Sequence, residues 1–126
     1  MPVPTDRRYT QTHEWCKPEG PQVVIGLTKF AVDQLTDITF LGLPAPGAKL
    51  SAGQPLGQVE SVKAANDIYA PIGGQVLEVN SAAVDNPALL NEDPFGAGWL
   101  VRVSPGSPAE MDRLMDAAAY EQLIAG

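Results

Sequence analysis

The sequence contains a single cysteine and a single histidine. Cys16 has no partner with which to close an internal bridge, which excludes a disulfide scaffold of the secreted kind. His13 stands without a second histidine or a Cys/His cluster, so the usual metal-ligand spacings are missing. Positive charge is scarce: 8 Lys and Arg face 15 Asp and Glu, for a formal net charge of -7. That field repels phosphate backbones and no basic stripe reverses it, so nucleic acid and anionic membrane surfaces are excluded as partners. Proteins with positive docking faces fit better, because opposite fields speed encounter. No apolar run approaches a membrane span, and none near the N-terminus serves as a signal core, so a cytoplasmic location is expected. No paired carboxylates, phosphate loop or nucleophile–base pair can be read, which argues against an enzyme.

What is present is turn chemistry. The 126 residues include 12 Gly and 12 Pro alongside 44% hydrophobic residues. One domain over 1–126, built of short strands, is the expectation. Strands are predicted at Gln22–Gly26, Ile38–Leu41, Leu56–Ser61, Asp67–Ala70, Gln75–Val79 and around Trp99–Val103, six of the seven or eight expected overall. Thr28 is a candidate N-cap for a helix to Thr36, with Leu27, Phe30, Ala31, Gln34 and Leu35 on one stripe. Asn86–Pro87 can open one helical turn. Ser107–Pro108–Ala109–Glu110 reads as a capping box that starts a helix with Met111, Leu114, Met115 and Ala118 as its apolar stripe. Asp116 is a candidate cap for a shorter segment through Leu123.

The four lysines differ in setting. Lys17 and Lys49 lie in turn-rich stretches, and Lys29 opens the predicted helix. Lys63 lies at mid-chain between two strand-like segments, with small neighbours Ser61, Ala64 and Ala65. A lysine at a hairpin tip is ordinarily a solvated charge. The same placement also meets the needs of an acylated lysine: an exposed amine, a stiff two-strand stalk, and open access for a modifying enzyme.

The segment Val59-Glu60-Ser61-Val62-Lys63-Ala64-Ala65-Asn66-Asp67-Ile68-Tyr69-Ala70-Pro71 closely resembles the lipoylation hairpin of the glycine cleavage H-protein family. The resemblance extends to Tyr9-Thr10, Thr12-His13-Glu14-Trp15, Leu43-Pro44, Gly47, Gly74, Val79-Asn80, Asn86-Pro87, Asn91-Glu92-Asp93-Pro94-Phe95-Gly96 and Gly98-Trp99-Leu100. It implies a mainly β barrel-sandwich hybrid: two antiparallel sheets, peripheral helices and a C-terminal helix. It also implies lipoic acid in amide linkage to Lys63, on a monomeric carrier without catalytic groups. The implied partners are lipoate-attaching enzymes, glycine decarboxylase, aminomethyltransferase and dihydrolipoamide dehydrogenase. In the family, the segment matching Thr12–Trp15 helps form a cleft for the arm. Glu14 is the candidate carboxylate there; the bland reading puts it on an exposed edge strand. Asp67 contacts the arm or, alternatively, shapes the hairpin.

Three positions depart from the family pattern. Lys29 follows Thr28 where Asp is common, Thr36 replaces a usual Gly, and Gln34 stands where some members carry His. A lipoate-relay carrier serving other lipoyl enzymes therefore stays open as an alternative. So do a biotin carrier, although Val62 and Ala64 replace the methionines that flank biotinyl-lysine, and an unmodified binding module. A lipoyl domain cut from a 2-oxoacid dehydrogenase fits less well with the predicted capped helix near the end. Trp15, Trp99 and the Met111/Leu114/Met115 stripe read as core. His13 and Cys16 are expected on opposite faces of a strand, which separates them as a nucleophile–base pair.

Overall fold

The computed structural model describes residues 3–125. Its strands are β1 (Arg8–Tyr9), β2 (Glu14–Glu19), β3 (Gln22–Leu27), β4 (Ile38–Gly42), β5 (Lys49–Leu50), β6 (Pro55–Ser61), β7 (Ala65–Tyr69), β8 (Gly74–Val79) and β9 (Val101–Pro105). They form a six-stranded sheet in the order β1-β2-β3-β9-β8-β5 and a three-stranded sheet β4-β6-β7, with every pairing antiparallel. The mainly β, two-sheet architecture is as expected. Two-residue strands such as β1 and β5 are too short to leave a periodic trace, and they raise the count among the described residues to nine.

Apolar side chains of both sheets meet in one core, including Ile25 and Val103 from the larger sheet and Leu41, Val59 and Ile68 from the smaller. A second cluster gathers Tyr9, Trp15, Val24 and Tyr120 on the far side of the larger sheet. Trp15 is buried and its indole N–H donates to Leu27 O and Pro94 O, a core role as expected. Trp99 is only half-buried, with the Arg102 guanidinium 5.2 Å from its ring centroid, while Leu100 is fully buried. The expected Trp99–Val103 alternation is thus inverted at its start, because strand β9 begins only at Val101.

Thr28 caps α1 (Lys29–Leu35), its hydroxyl accepting from Ala31 N at 3.3 Å. The buried positions of α1 are Val32 and Leu35, whereas Gln34 is exposed, which corrects the predicted stripe. Asn80, not Asn86, supplies a side-chain cap, for α2 (Ser81–Asp85); α3 (Ala88–Glu92) follows Pro87 without one. The capping box at Ser107 does not form. Pro108–Arg113 is a 3-10 helix, and the Glu110 carboxylate bonds Gly73 N at 2.9 Å instead of folding back on its own helix. The chain is extended again at Leu114, and Met115 bridges to Tyr9 on β1, so the Met111–Ala118 stripe is split between two elements. The C-terminal helix α4 spans Ala117–Ala125, with the Asp116 carboxylate accepting from Ala119 N at 2.9 Å. No described helix is long and apolar enough to cross a membrane.

Candidate functional site: an exposed lysine hairpin beside a carboxylate-lined cleft

Strands β6 and β7 form a hairpin through the pairs Gln58↔Asp67, Val59↔Asn66 and Glu60↔Ala65. Residues 61–64 close it in a tight turn, with Ser61 N donating to Ala64 O at 2.8 Å. The Ser61 hydroxyl oxygen accepts from Lys63 N and from Ala64 N, both at 3.1 Å. A serine bonding its own turn amides replaces the missing ladder bonds and holds the tip in one conformation. In the sequence Ser61 stands out only as a small neighbour of Lys63. Val62 N also donates to Asp37 O at 3.2 Å, which anchors the tip to the chain leaving α1. The tip faces water: Val62 is 71% exposed and Lys63 is exposed. Lys63 Nζ lies 3.4 Å from Gln34 O near the C-terminal end of α1, where helical carbonyls lack partners. No ion pair involves Lys63 among the described residues.

Beside the hairpin is a cleft of about 530 Å³. One wall is the segment Gln11–Glu14, a second is α1 through Ala31, Gln34 and Leu35, and the third is the hairpin through Val59, Ala64, Asn66, Asp67 and Tyr69. Cavities that hold small organic groups run from roughly 300 to 1,000 Å³.

Glu14 is only 1% exposed. It lies on β2, between β1 and β3, so the edge-strand reading is set aside. Thr10 Oγ1 donates to its Oε1 at 2.7 Å, the Thr12 hydroxyl donates to the same oxygen, and Tyr69 N donates to Oε2 at 3.2 Å. A carboxylate has about four acceptor sites. Three protein donors leave Oε2 with room for one more, on a carboxylate that lines the cleft. Burial pushes the Glu14 carboxyl above the ordinary value of 4.5, and the Thr10, Thr12 and Tyr69 donors oppose that shift.

Asp67 lines the same cleft, exposed, with no side-chain hydrogen bond to the hairpin backbone among the described residues; its share in the hairpin is the ladder pair with Gln58. His13 precedes β2 with φ 74°, so strand alternation does not govern where it points. It is nonetheless separated from Cys16. His13 Nδ1 is 2.8 Å from Tyr120 Oη, whereas Cys16 is buried in the main core and burial pushes its thiol up to about 12. Of the three departures, Gln34 lines the cleft and Lys29 pairs with Asp33 at 2.9 Å. Thr36 ends α1 at φ 64° and ψ −139°, a backbone conformation suited to glycine.

A family model described as Glycine cleavage H-protein matches residues 7–126. The chain belongs to that family. The glycine cleavage system H protein of Thermus thermophilus is 44% identical over 124 residues, covering 98% of this chain and 97% of that protein. Its counterpart from Carboxydothermus hydrogenoformans is 48% identical over 122 residues, covering 97% and 94%. A crystal structure of a glycine cleavage system H protein from Mycobacterium marinum matches with TM-score 0.91 at 42% identity, covering 98% of this chain and 100% of that one. Glycine cleavage H-proteins carry a lipoyl group on a lysine, and this chain is accordingly a lipoyl-bearing shuttle that works with the other components of the glycine cleavage system.

Proposed function

We propose that Lys63 is the lipoyl attachment residue, and that the cleft bounded by Gln11–Glu14, α1 and the β6–β7 hairpin shelters the attached arm. The observation that carries this reading is the placement of the Lys63 amine. It is exposed on a turn locked by Ser61, within hydrogen-bond reach of Gln34, which itself lines the cleft. The residues fit such a group. Leu27, Ala31, Leu35 and Val59 offer apolar surface to a hydrocarbon chain, and the Glu14 carboxylate has an acceptor site left for a cation. The lipoyl group, when bound, supplies a dithiol/disulfide couple that exchanges with other thiols and a sulfur that accepts a one-carbon unit.

The chain's own contribution is presentation, shelter and recognition. The hairpin raises the local concentration of its cargo at whichever enzyme has docked. The cleft removes the cargo's end from bulk water, which slows hydrolytic loss, and the buried Glu14 pairs with an ammonium more strongly than a solvated carboxylate does. The chain itself is non-catalytic in this reading, in keeping with the buried, high-pKa Cys16 thiol. The partners are lipoate-attaching enzymes, glycine decarboxylase, aminomethyltransferase and dihydrolipoamide dehydrogenase, met in the cytoplasm by a monomer that is one carrier unit over 1–126. A net charge of -7 favours fast, transient encounters with basic docking faces.

Reconstitution tests the reading. With the lipoylated chain as sole carrier, purified glycine decarboxylase is expected to turn over glycine. Lys63→Arg keeps the charge and stem but cannot be acylated in the same way, and it should reduce turnover to background. Undiminished turnover with Lys63→Arg would remove Lys63 from the site.

A further inference from the structure

Tyr120 is fully buried, on α4, far along the chain from the cleft. Its hydroxyl lies 2.7 Å from Thr28 Oγ1 and 2.8 Å from His13 Nδ1. Thr28 is the cap from which α1 starts, and α1 supplies one wall of the cleft. His13 belongs to the opposite wall and precedes Glu14. One phenolic oxygen therefore ties the two walls together from behind. Thr28 and His13 are also coupled directly through Thr28 N donating to His13 O at 3.0 Å. One assignment of the protons satisfies the whole hydroxyl chain: with Ala31 N donating to Thr28 Oγ1, Thr28 donates to Tyr120 and Tyr120 donates to an unprotonated His13 Nδ1. Each oxygen in that order both accepts and donates, so no buried polar group is left over.

We propose that Tyr120 is a positioning residue for arm retention: its hydroxyl sets the spacing of the His13–Glu14 wall against α1 and makes the cleft depend on the C-terminal helix. This inference rests on the reading of the cleft as the arm's shelter. Small displacements at such a site matter, because positioning by a rigid support loses its effect when the walls drift by about an ångström.

Tyr120→Phe isolates the effect. The ring remains to stack on Tyr9, whose centroid is 4.7 Å away, and only the shared hydroxyl is lost. Tyr9→Phe is the control, since it deletes a hydroxyl of the same cluster that bonds Pro4 O and has no link to the cleft. Two readouts are used. In the unlipoylated chain, amide hydrogen exchange at Ala31 and the ring resonances of the sole histidine report on the walls directly. In the lipoylated, loaded carrier, the rate of ammonia loss reports on retention, with Glu14→Gln as reference. Expected for Tyr120→Phe are faster Ala31 exchange, shifted His13 resonances and a several-fold faster ammonia loss, none of them seen with Tyr9→Phe.

Wild-type behaviour of Tyr120→Phe while Glu14→Gln accelerates loss would overturn the inference and spare the shelter. Equal effects of Tyr9→Phe and Tyr120→Phe would also overturn it, by showing general loosening of the cluster. If neither Glu14→Gln nor Tyr120→Phe alters retention, the shelter reading falls and this inference with it. Thr28→Ala, which removes the other partner of the phenol, is the second probe should Tyr120→Phe not fold; because it also deletes the acceptor of Ala31 N, it is held to the His13 resonances and the rate of ammonia loss and not to Ala31 exchange.

Discussion

Replacing Glu14 by Gln separates what the site contributes to cargo from what it costs the fold. The substitution preserves shape and burial. The Thr10 and Thr12 hydroxyls can turn to accept from the new amide while its oxygen takes Tyr69 N, so the local network survives. What disappears is the charge. A hydrogen bond to a charged group contributes about 1.5–3 kcal/mol, and this carboxylate is almost wholly desolvated. At about 1.4 kcal/mol per tenfold change, the arm's occupancy of the cleft should fall roughly tenfold to a hundredfold, and ammonia loss from the loaded carrier should accelerate accordingly. Stability should move the other way. Because burial raises the folded-state carboxyl above 4.5, the protonated form favours the fold, and that advantage is lost as pH rises through the raised value. The unloaded wild type thus carries a desolvation cost at neutral pH that the variant lacks. The stability difference should shift in the variant's favour between acid and neutral pH, as read by denaturant unfolding across that range. An unchanged ammonia-loss rate would refute the ammonium contact, and a stability difference independent of pH would refute the buried, ionised Glu14.

Three further outcomes follow from the same structure. Ser61→Ala removes the acceptor for Lys63 N and Ala64 N at the exposed tip, and at about 1 kcal/mol of lost turn order it should lower the kcat/KM of enzymatic lipoylation several-fold and Tm by a few degrees; equal kcat/KM would show that the tip needs no preorganisation. Thr36→Gly should stabilise the protein by about 1 kcal/mol in denaturant melts, since relief of a strained backbone worth roughly 1–3 kcal/mol exceeds glycine's entropic cost of about 0.5–1; a destabilised variant would contradict the strain. Gly57→Ala should destabilise by about 1–3 kcal/mol or more, because a Cβ there would stand 2.3 Å from the Gly42 carbonyl oxygen across the β4–β6 pairing, and an unchanged Tm would contradict that close approach.

The parts of the fold legible in sequence were those with strong local chemistry. The buried run Gln22–Gly26, which the structure extends by one residue to Leu27, the Thr28 cap and the Lys63 hairpin follow from periodicity, capping and turn residues. The Ser107–Glu110 box failed because tertiary demand outweighed the local motif: Gly73 N needed an acceptor and took the Glu110 carboxylate. The site was half legible. Lys63 and Glu14 were reached through the resemblance, but the groups that hold Glu14 come from Thr10, Thr12 and a backbone amide at Tyr69, 55 positions away. The Thr10-x-Thr12-x-Glu14 spacing was the one local hint. Tyr120 left no signal at all, because its role depends on where α4 docks rather than on any pattern within it.

Peptide mass mapping of the chain purified from its native host tests the central claim most directly. A lipoyl increment confined to the peptide containing Lys63, and absent from those containing Lys17, Lys29 and Lys49, is the predicted result. A biotinyl increment, a lipoyl group on another lysine, or unmodified Lys63 throughout growth on glycine would contradict it.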